Sequence, residues 1–365
     1  MEFVDLKKQH LALKKELMLA IGRVLDSGHF LLGPELENFE KETAVFCNTK
    51  YAAGVGSGTE ALVLALKALD IGNGDEVITT PLTFIATANA IKWVGAKPIF
   101  ADIDEQSFNI DPRKIASAIT KRTKAIIPVH LFGICCDMEN IAEIARQNTL
   151  FVIEDAAQAF GAEINQKKIG ALSDVACVSF SPIKNLGACG NGGLILTNNE
   201  MLAKKVKLLR SHGADKPGRY KIVGVSGELD EIQAAILRIK IRYLNSWNQR
   251  RINIARLYNK LLEPIKKYIR TPTTPEAKKH VFYAYTVLAQ KRDGLKNYLK
   301  ERGIPTRIYY TPLHLQPALK FLNHDTGDFP VAEKIASSII SLPIYPELTD
   351  QEIKIIAQAV VNFYS

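Results

Sequence analysis

The sequence has 365 residues, of which 47% are hydrophobic and 23% are charged, a composition that is ordinary for a globular protein. A chain of this length predicts two domains or one large α/β domain. No apolar run reaches the roughly 18 residues that a membrane span needs, and the first residues lack the apolar core of a signal peptide. We therefore expect a cytoplasmic protein that does not cross a membrane.

The net charge of +9 raises the question of a nucleic-acid partner. The lysines, however, occur as dispersed pairs and form no single block, which favours solvated helix faces and is compatible with a small anionic substrate. The five cysteines form no Cys-x-x-Cys pattern, and the seven histidines form no His-x-x-x-His pattern. These spacings predict reduced thiols and no metal site, and we expect no nucleic-acid partner.

Residues 50 to 200 alternate between short β-rich segments and helical patterns. The helical patterns include Gly58–Leu69, Phe84–Val94 and Met138–Gln147. Strand and helix in repetition predict an α/β fold with a mostly parallel seven-stranded sheet between helices. Ligands bind beyond the carboxyl ends of strands in such a sheet, so residues that carry chemistry should directly follow the β-rich segments. These segments are Tyr51–Val55, Glu76–Thr80, Pro98–Ala101, Lys124–Val129, Leu150–Glu154, Val175–Phe180 and Gly193–Thr197.

The C-terminal part of the chain has a different organisation. A long helical pattern, Leu229–Leu262, has a possible break at Asn245 and Trp247. The proline-rich segment Thr271–Pro275 is typical of a linker, and the residues after it alternate less regularly, which predicts a smaller α+β domain. We therefore divide the chain into a large domain of residues 1–250 and a small C-terminal domain of residues 251–365.

The first β-rich segment ends in a glycine-rich stretch, Gly54–Thr59, that runs into a helix. Glycines permit close backbone approach, and the free N–H groups at a helix start suit a phosphate. A dinucleotide site would have a Gly-x-Gly-x-x-Gly spacing and an acid near the end of the second strand, which instead ends in Thr79, Thr80 and Pro81. The pattern favours a single phosphate, and a tight turn without a ligand is the alternative.

The fifth β-rich segment ends beside Asp155. A carboxylate that leaves a buried apolar strand is costly unless a cation or hydrogen bonds compensate it. Asp155 is therefore either the N-cap of a following helix or the partner of a buried positive heterocycle. Gln158 lies about one turn further along and can point into the same crevice.

A single lysine, Lys184, lies between the sixth β-rich segment and four glycines. A lysine at random is a surface lysine, but this one shares the predicted carboxyl edge with Asp155 and with the helix start at Gly58 and Thr59. A phosphate site, an acid and an amine at one edge match pyridoxal 5'-phosphate. Its phosphate needs helix N–H donors, its ring nitrogen needs a carboxylate, and its aldehyde needs an amine.

Longer motifs along nearly the whole chain share the pattern of one known family. They are Gly56–Thr59, Gly74–Ile78, Thr83–Thr87, Ile126–His130, Glu154–Gln158, Ser179–Gly193, Leu229–Ala235 and Ser341–Pro346. In these motifs the chain resembles the sugar aminotransferases of the DegT/StrS family, which are fold-type I enzymes that use pyridoxal phosphate.

The resemblance implies a role for each candidate residue. Lys184 would form the Schiff base with the cofactor, Asp155 would meet the ring nitrogen, and Gln158 would meet the ring hydroxyl. Phe84 would stack on the ring. The residues implied at the cofactor phosphate are Gly58, Thr59, Ser179 and Ser226.

Several positions depart from the family pattern. Ser226 and Glu228 replace an asparagine and an arginine, and Tyr309 replaces a common histidine. Asn191 and Phe160 replace a common aspartate and a common histidine. The first positions face the cofactor or the substrate in the family, partly from a partner subunit, so they put substrate identity in doubt more than cofactor identity. The residues implied at the substrate are Tyr309, Tyr310, His314 and Glu228.

The resemblance implies a homodimer with shared active sites that moves an amino group from glutamate to the keto group of a nucleotide-linked sugar. The lysine loop is most similar to that of members acting at C3, whose amino sugars serve surface glycan, lipid A or related biosynthesis. Relatives that act as dehydratases have histidine at the lysine position, so Lys184 favours transamination. A dehydratase or other chemistry on the same cofactor, and a regulatory protein without turnover, remain alternatives. Because Glu228 would repel a carboxylate, we expect a substrate without a carboxyl group.

Overall fold

The computed structural model describes residues 1–365. Its helices are α1 (Leu6–Ser27), α2 (Pro34–Cys47), α3 (Gly58–Ala68), α4 (Ala86–Trp93), α5 (Pro112–Ala118), α6 (Met138–Gln147), α7 (Glu200–Arg210), α8 (Glu231–Ile241), α9 (Leu244–Leu262), α10 (Arg292–Glu301), α11 (Pro330–Ser338) and α12 (Asp350–Tyr364). Its strands are β1 (Tyr51–Val55), β2 (Glu76–Thr79), β3 (Lys97–Phe100), β4 (Thr123–Ile126), β5 (Phe151–Asp155), β6 (Glu163–Ile164), β7 (Lys167–Lys168), β8 (Val175–Ser179), β9 (Gly193–Thr197), β10 (Ala214–Lys216), β11 (Arg219–Tyr220), β12 (Ile269–Arg270), β13 (Lys278–Lys279), β14 (Tyr285–Ala289) and β15 (Ile339–Leu342). None of the helices combines the length and the apolarity that crossing a membrane would require.

The central feature is a seven-stranded sheet with the strand order β1-β9-β8-β5-β4-β2-β3. Strands β8, β5, β4, β2 and β3 pair in parallel, whereas β9 is antiparallel to both of its neighbours. The mostly parallel seven-stranded sheet that the sequence predicts is therefore confirmed. Because five neighbouring strands run the same way, their carboxyl ends meet at one edge, where a ligand site is expected.

Helices cover both faces of this sheet. Successive side chains of a strand point to opposite faces and therefore pack in two different hydrophobic cores. In β8, Ala176 and Val178 pack in a core with α2 and α8, whereas Val175 and Cys177 pack in a core with α3. Apolar residues at every position are expected of strands that are buried on both faces. The central sheet is thus packed on both of its faces, and its carboxyl edge carries the candidate site.

The boundaries of the predicted helices differ slightly from the observed ones. The break in the long C-terminal helical pattern lies at Arg242 and Tyr243, between α8 and α9, rather than at Asn245 and Trp247. The predicted helix Phe84–Val94 is shorter in the structure, where it begins at Ala86. Phe84 therefore lies before the first turn of α4, on a loop that faces the carboxyl edge.

The C-terminal part contains a second, smaller sheet, in which β12, β14 and β15 pair antiparallel. Side chains of α9, α10 and α12 form its core, so the smaller α+β unit is present as predicted. The boundary predicted at residue 250 falls inside α9 and stays a prediction. The segment Thr271–Pro275 has no regular structure and connects β12 to β13, which pairs with β6 near the large sheet.

Candidate active site

A cavity of about 340 Å³ lies at the carboxyl edge of the central sheet. The ends of β5 and β8, the start of α3 and the loop before α4 meet there. The predicted site residues that line it are Gly58, Thr59, Phe84, Asp155, Gln158, Ser179, Lys184, Tyr309 and Tyr310. The structure thus brings together most of the residues that the sequence singles out, although their individual roles stay predictions.

The start of α3 forms one wall of this cavity. Ser57 is the N-cap, and its hydroxyl accepts a hydrogen bond from the backbone N–H of Glu60 at 3.1 Å. The other N–H groups of the first turn have no partner within the helix, which suits a phosphate. A Cβ on Gly58 would lie 2.6 Å from Cβ of Ser179, at the end of β8. The glycine therefore lets the helix start and the Ser179 hydroxyl meet at one place.

This close approach makes Gly58→Ala informative. We expect the added methyl group to push α3 and the end of β8 apart, to lower the free energy of unfolding by about 1 to 3 kcal/mol, and to weaken cofactor binding. Gly22→Ala is the matched control, because nothing lies within 4 Å of its Cβ position in α1. Denaturant unfolding and cofactor titration measure both effects. Equal stability and affinity in the two variants would contradict this account of Gly58.

Asp155 is the last residue of β5, and its side chain is buried. Its backbone is fixed on both sides, since its N–H donates to Pro128 O at 2.9 Å and its carbonyl accepts from His130 N at 3.1 Å. Its Oδ2 accepts a hydrogen bond from the Thr87 hydroxyl at 2.7 Å, and its Oδ1 accepts one from Ala157 N at 3.2 Å. Turns rather than a helix follow it, so the alternative of a helix N-cap is wrong.

A second pair of buried side chains holds the end of β5 from the opposite face of the strand. Glu154 Oε2 lies 2.7 Å from His130 Nε2, and Glu154 Oε1 accepts a hydrogen bond from Gly170 N at 2.8 Å. His130 Nδ1 accepts a hydrogen bond from Cys136 N at 3.1 Å. The sequence motifs do not reveal this pairing, although both residues lie at strand ends in adjacent motifs. The pair ties β5 to the segment after β4 and so fixes the backbone of Asp155.

Gln158 enters the same cavity with both ends of its amide engaged. Its Oε1 accepts a hydrogen bond from Phe132 N at 2.8 Å, and its Nε2 donates one to the Tyr310 hydroxyl at 3.0 Å. An amide nitrogen carries two hydrogens, so one donor remains for a ligand. A free donor on a fixed, buried amide suits the ring hydroxyl that the resemblance implies as its partner.

Lys184 lies on the loop that follows β8. The next residue, Asn185, is buried and donates hydrogen bonds to Asn248 Oδ1 at 2.7 Å and to Val281 O at 2.9 Å. Gly187 is required here, because a Cβ on it would overlap the carbonyl group of Pro182. The glycines after the lysine thus serve loop packing, and the anchored loop presents the Lys184 amine to the cavity.

Burial lowers the pKa of Lys184 to about 8, and the negative charge of Asp155 opposes this shift. The neutral amine is the form that attacks an aldehyde. We therefore expect the rate at which the apoenzyme captures pyridoxal phosphate to rise about tenfold per pH unit below pH 8 and to level off above it. Stopped-flow absorbance from about pH 6 to about pH 10 measures this profile. A capture rate that continued to rise up to about pH 10 would indicate an ordinary, solvated lysine.

Aromatic side chains close the rest of the cavity. The Lys184 amine lies 4.5 Å from the centre of the Tyr283 ring, and Tyr283 lies 6.3 Å from Tyr309. Phe84 is 55% exposed and lies 5.9 Å from the Tyr310 ring, so its face is open to a planar ligand. The sequence does not identify Tyr283 as a site residue, because Tyr283 lies outside the motifs that contain the other site residues. The wall it forms suits a flat, heteroaromatic ring.

Ser226 and Glu228 do not line this cavity within the chain. Ser226 is exposed, and its hydroxyl lies 3.3 Å from Glu228 Oε2. The backbone of Glu228 forms a β-bridge with Val55 at the end of β1. The burial of Glu60 and the negative charge of Glu228 both raise the pKa of Glu60. Two carboxylates therefore lie close together near the start of α3, whereas the family pattern has an arginine at the position of Glu228. The cofactor role of Ser226 and the substrate role of Glu228 stay predictions.

His314 also lies outside the cavity. Its ring is buried against Phe329, with the ring centroids 4.8 Å apart, and its Nε2 lies 2.9 Å from Glu333 Oε1. Glu333 also accepts hydrogen bonds from the backbone of Gly327. The structure thus gives His314 a packing role near α11, and its predicted substrate role is untested.

Comparisons with known proteins agree with this geometry. A model of the DegT/DnrJ/EryC1/StrS aminotransferase family matches residues 12–361. The chain is 45% identical to a pleiotropic regulatory protein from Geobacillus stearothermophilus, over 99% of this chain and 98% of that protein. It is also 45% identical to the dTDP-3-amino-3,6-dideoxy-alpha-D-galactopyranose transaminase from Aneurinibacillus thermoaerophilus, over 99% of both chains.

Solved structures give the same result. DesV from S. venezuelae superposes with a TM-score of 0.97 and 42% identity, covering 99% of this chain and 98% of that one. NtdA from Bacillus subtilis, with the bound cofactor PMP, superposes with a TM-score of 0.93 and 33% identity, covering 100% and 85%. The fold and the cavity define a fold-type I enzyme that uses pyridoxal phosphate. The chain belongs to the DegT/DnrJ/EryC1/StrS aminotransferase family, as its motifs predict.

Proposed function

We propose that the protein transfers an amino group from glutamate to the C3 keto group of a nucleotide-linked sugar. The observation that carries the proposal is the single cavity that contains Lys184, Asp155 and Gln158 beside the free helix start of α3. An amine, a carboxylate and an amide in these positions supply each contact that pyridoxal phosphate needs. The relative that acts as a dTDP-sugar 3-transaminase supports the substrate class.

The residues of the cavity divide the work between them. When bound, the cofactor supplies an aldehyde that accepts the amino group and a ring that accepts electrons. Lys184 Nζ takes up and returns the proton of the substrate carbon, since a pKa of about 8 makes both forms of the amine accessible near neutral pH. The Asp155 carboxylate would keep a proton on the ring nitrogen, and the amide of Gln158 would donate to the ring hydroxyl. Phe84 and the facing tyrosines exclude water from the ring.

The proposal includes a homodimer in which Ser226 and Glu228 reach the partner's cavity. Both residues lie outside the cavity of their own chain, on a segment where Val223 is 96% exposed. Phe30, Leu31 and Leu32 form a second exposed apolar run before α2. Contiguous exposed apolar side chains are typical of a surface that another protein covers. A cytoplasmic location is also proposed, because all five cysteines are free and four of them are buried.

The test is an assay of the purified protein with glutamate and a panel of dTDP- and UDP-linked 3-keto sugars. Formation of 2-oxoglutarate together with an amino sugar is the expected result. Light scattering of the same sample should give twice the 40.5 kDa mass of one chain. Loss of water from the sugar without 2-oxoglutarate would instead support the dehydratase alternative.

A regulatory protein without turnover is the second candidate, since the relative from G. stearothermophilus is named as a regulatory protein. Such a protein has no need of a proton-transferring amine. In this chain, however, Lys184 is present with a lowered pKa beside an intact Asp155. These residues favour catalysis. Cofactor binding without product from any sugar of the panel would support the regulatory role.

The substitution at Glu228 predicts the charge of the substrate. The recorded side-chain hydrogen bond of Glu228 is with the Ser226 hydroxyl, and the neighbouring carboxyl group of Glu60 adds a second acid to this segment. If the segment faces the partner's substrate, we expect kcat/KM for a neutral keto-sugar nucleotide to exceed that for its uronic acid counterpart by about tenfold or more. Glu228→Gln should reduce this ratio without changing the rate for the neutral sugar. A wild-type preference for the uronate would contradict the prediction but not the aminotransferase function.

A further inference from the structure

Thr87 lies in the first turn of α4, and its side chain does not make the bond that is usual for a helical threonine. Such a hydroxyl commonly donates to a backbone carbonyl three or four residues earlier. Here the Thr87 hydroxyl oxygen is 3.4 Å from the carbonyl oxygen of Phe84 but only 2.7 Å from Oδ2 of Asp155. A hydroxyl carries one hydrogen, so the shorter contact with a charged acceptor takes it. The hydrogen bond therefore joins α4 to the end of β5 through the Asp155 carboxylate.

This hydrogen bond fixes the orientation of a buried carboxylate. Thr87 is fully buried and Asp155 is 6% exposed, so water does not compete for the contact. The other carboxylate oxygen, Oδ1, accepts from the backbone N–H of Ala157 at 3.2 Å. The terminal torsion of an aspartate is otherwise broad, so one donor to each oxygen is what holds the plane of the carboxylate. The lone pairs that remain are available to a ligand in the cavity, which Asp155 lines.

A second threonine, Thr83, extends this contact to the wall of the cavity. The Oγ1 atoms of Thr83 and Thr87 lie 3.3 Å apart, and Thr83 is buried and lines the cavity. Because the hydrogen of Thr87 is directed to Asp155, Thr83 is the donor in this contact. The two threonines flank Phe84, which we expect to stack on the cofactor ring. The series Thr83, Thr87 and Asp155 thus connects the loop of Phe84 to the acid expected at the ring nitrogen.

We propose that Thr87 is a positioning residue, which orients the Asp155 carboxylate toward the ring nitrogen of the cofactor and holds the loop of Phe84 in place beside it. Thr87 does not itself line the cavity, so it acts through these two residues. A donor to a carboxylate also stabilises the charged form, which a protonated ring nitrogen requires. The inference rests on the proposed roles of Asp155 and Phe84 at the cofactor, and it does not depend on the sugar substrate.

Thr87→Val tests the role of the hydroxyl, because valine keeps the branched shape and lacks the donor. We expect this variant to raise the Kd of the apoenzyme for pyridoxal phosphate by about tenfold and to lower kcat by a similar factor. Thr87→Ser restores the donor and should stay within about twofold of the wild-type protein in both quantities. Equilibrium dialysis with pyridoxal phosphate alone gives Kd, and circular dichroism reports folding. Thr87→Ala takes the place of the valine variant if that protein does not fold.

Thr43→Val is the matched control for this substitution. Thr43 is fully buried in α2, away from the cavity, and its hydroxyl donates to Phe39 O at 2.7 Å. The control therefore loses a buried hydrogen bond of the same length, and we expect a lower free energy of unfolding with Kd and kcat unchanged. Equal changes of Kd and kcat in Thr87→Val and Thr43→Val would overturn the proposal, as would a Thr87→Val protein that matched the wild type.

A double-mutant cycle with Asp155→Asn tests whether Thr87 acts through the carboxylate. We expect Thr87→Val to raise Kd about tenfold in the wild-type background but less than about twofold in the Asp155→Asn background, because the charged acceptor is already absent there. A pure packing role would give the same factor in both backgrounds and would overturn the proposal. These Kd values need no sugar. Coupled Kd values without amino transfer to any sugar would contradict the proposed substrate and still support the role of Thr87.

Discussion

Lys184→Ala is expected to lower kcat with glutamate by at least about a thousandfold while the protein stays folded and retains the cofactor. The loss follows because no other amine lines the cavity. The fold should survive, since the anchors of this loop are Asn185 and Leu186, which are buried, and not the lysine itself. Cofactor should still bind, because Ser179, the start of α3, Asp155 and Gln158 belong to other positions. Steady-state rates, circular dichroism and equilibrium dialysis measure the three outcomes.

Lys204→Ala supplies the matched control for that experiment. Lys204 is a lysine of α7 that is 72% exposed and forms a surface pair with Glu200 at 2.6 Å. Surface pairs of this kind contribute little to stability, so activity and folding should both stay near wild type. A Lys184→Ala protein that retained wild-type turnover would contradict the aminotransferase assignment itself.

The position of the site could be predicted because it depends on local patterns. Short apolar segments alternate with helical patterns, and this order alone predicts a parallel sheet with its ligand at the carboxyl edge. Asp155 directly follows such a segment, Lys184 lies on the loop after another, and Gly58 begins the helix after the first. Their meeting in one cavity therefore follows from topology, before any contact is known.

Contacts between distant segments could not be predicted in this way. Thr87 donates to Asp155, and Tyr283 lies beneath the Lys184 amine, but neither residue follows a strand of the sheet. The two interpretations of Asp155 also could not be separated from the sequence, because a capping acid and a ligand-binding acid occur at similar places. The turns after β5 decide between them, and these turns depend on tertiary packing rather than on propensity.

The positions of Ser226 and Glu228 outside the cavity have a related cause. A sequence motif assigns a residue to a site, but it does not say which copy of the chain supplies it. Both residues lie outside the cavity of their own chain, and Glu228 adjoins Glu60. A site completed across a two-fold axis would produce this separation, since each subunit then presents the segment to its partner.

Asp155→Asn should lower kcat by about a hundredfold or more while leaving the shape of the cavity intact. The oxygen of the asparagine can accept from Ala157 N and its nitrogen can donate to the Thr87 hydroxyl, so the packing at the end of β5 is retained. What the substitution removes is the negative charge that keeps a proton on the ring nitrogen. The same charge raises the pKa of Lys184, so its loss should also move the midpoint of cofactor capture below pH 8. Turnover and the pH profile of capture are the two measurements.

Asp174→Asn separates this electrostatic effect from the general loss of an acid in the sheet. Asp174 accepts a hydrogen bond from Val152 N at 2.8 Å, at the amino end of β5 and away from the cavity. Its substitution should cost about 1 kcal/mol of stability with turnover and the pH profile unchanged. An Asp155→Asn protein that behaved in the same way would show that Asp155 only positions the strand. A large loss of turnover combined with an acid shift of the profile supports a charge at the cofactor ring, because the Asp155 carboxylate raises the pKa of Lys184.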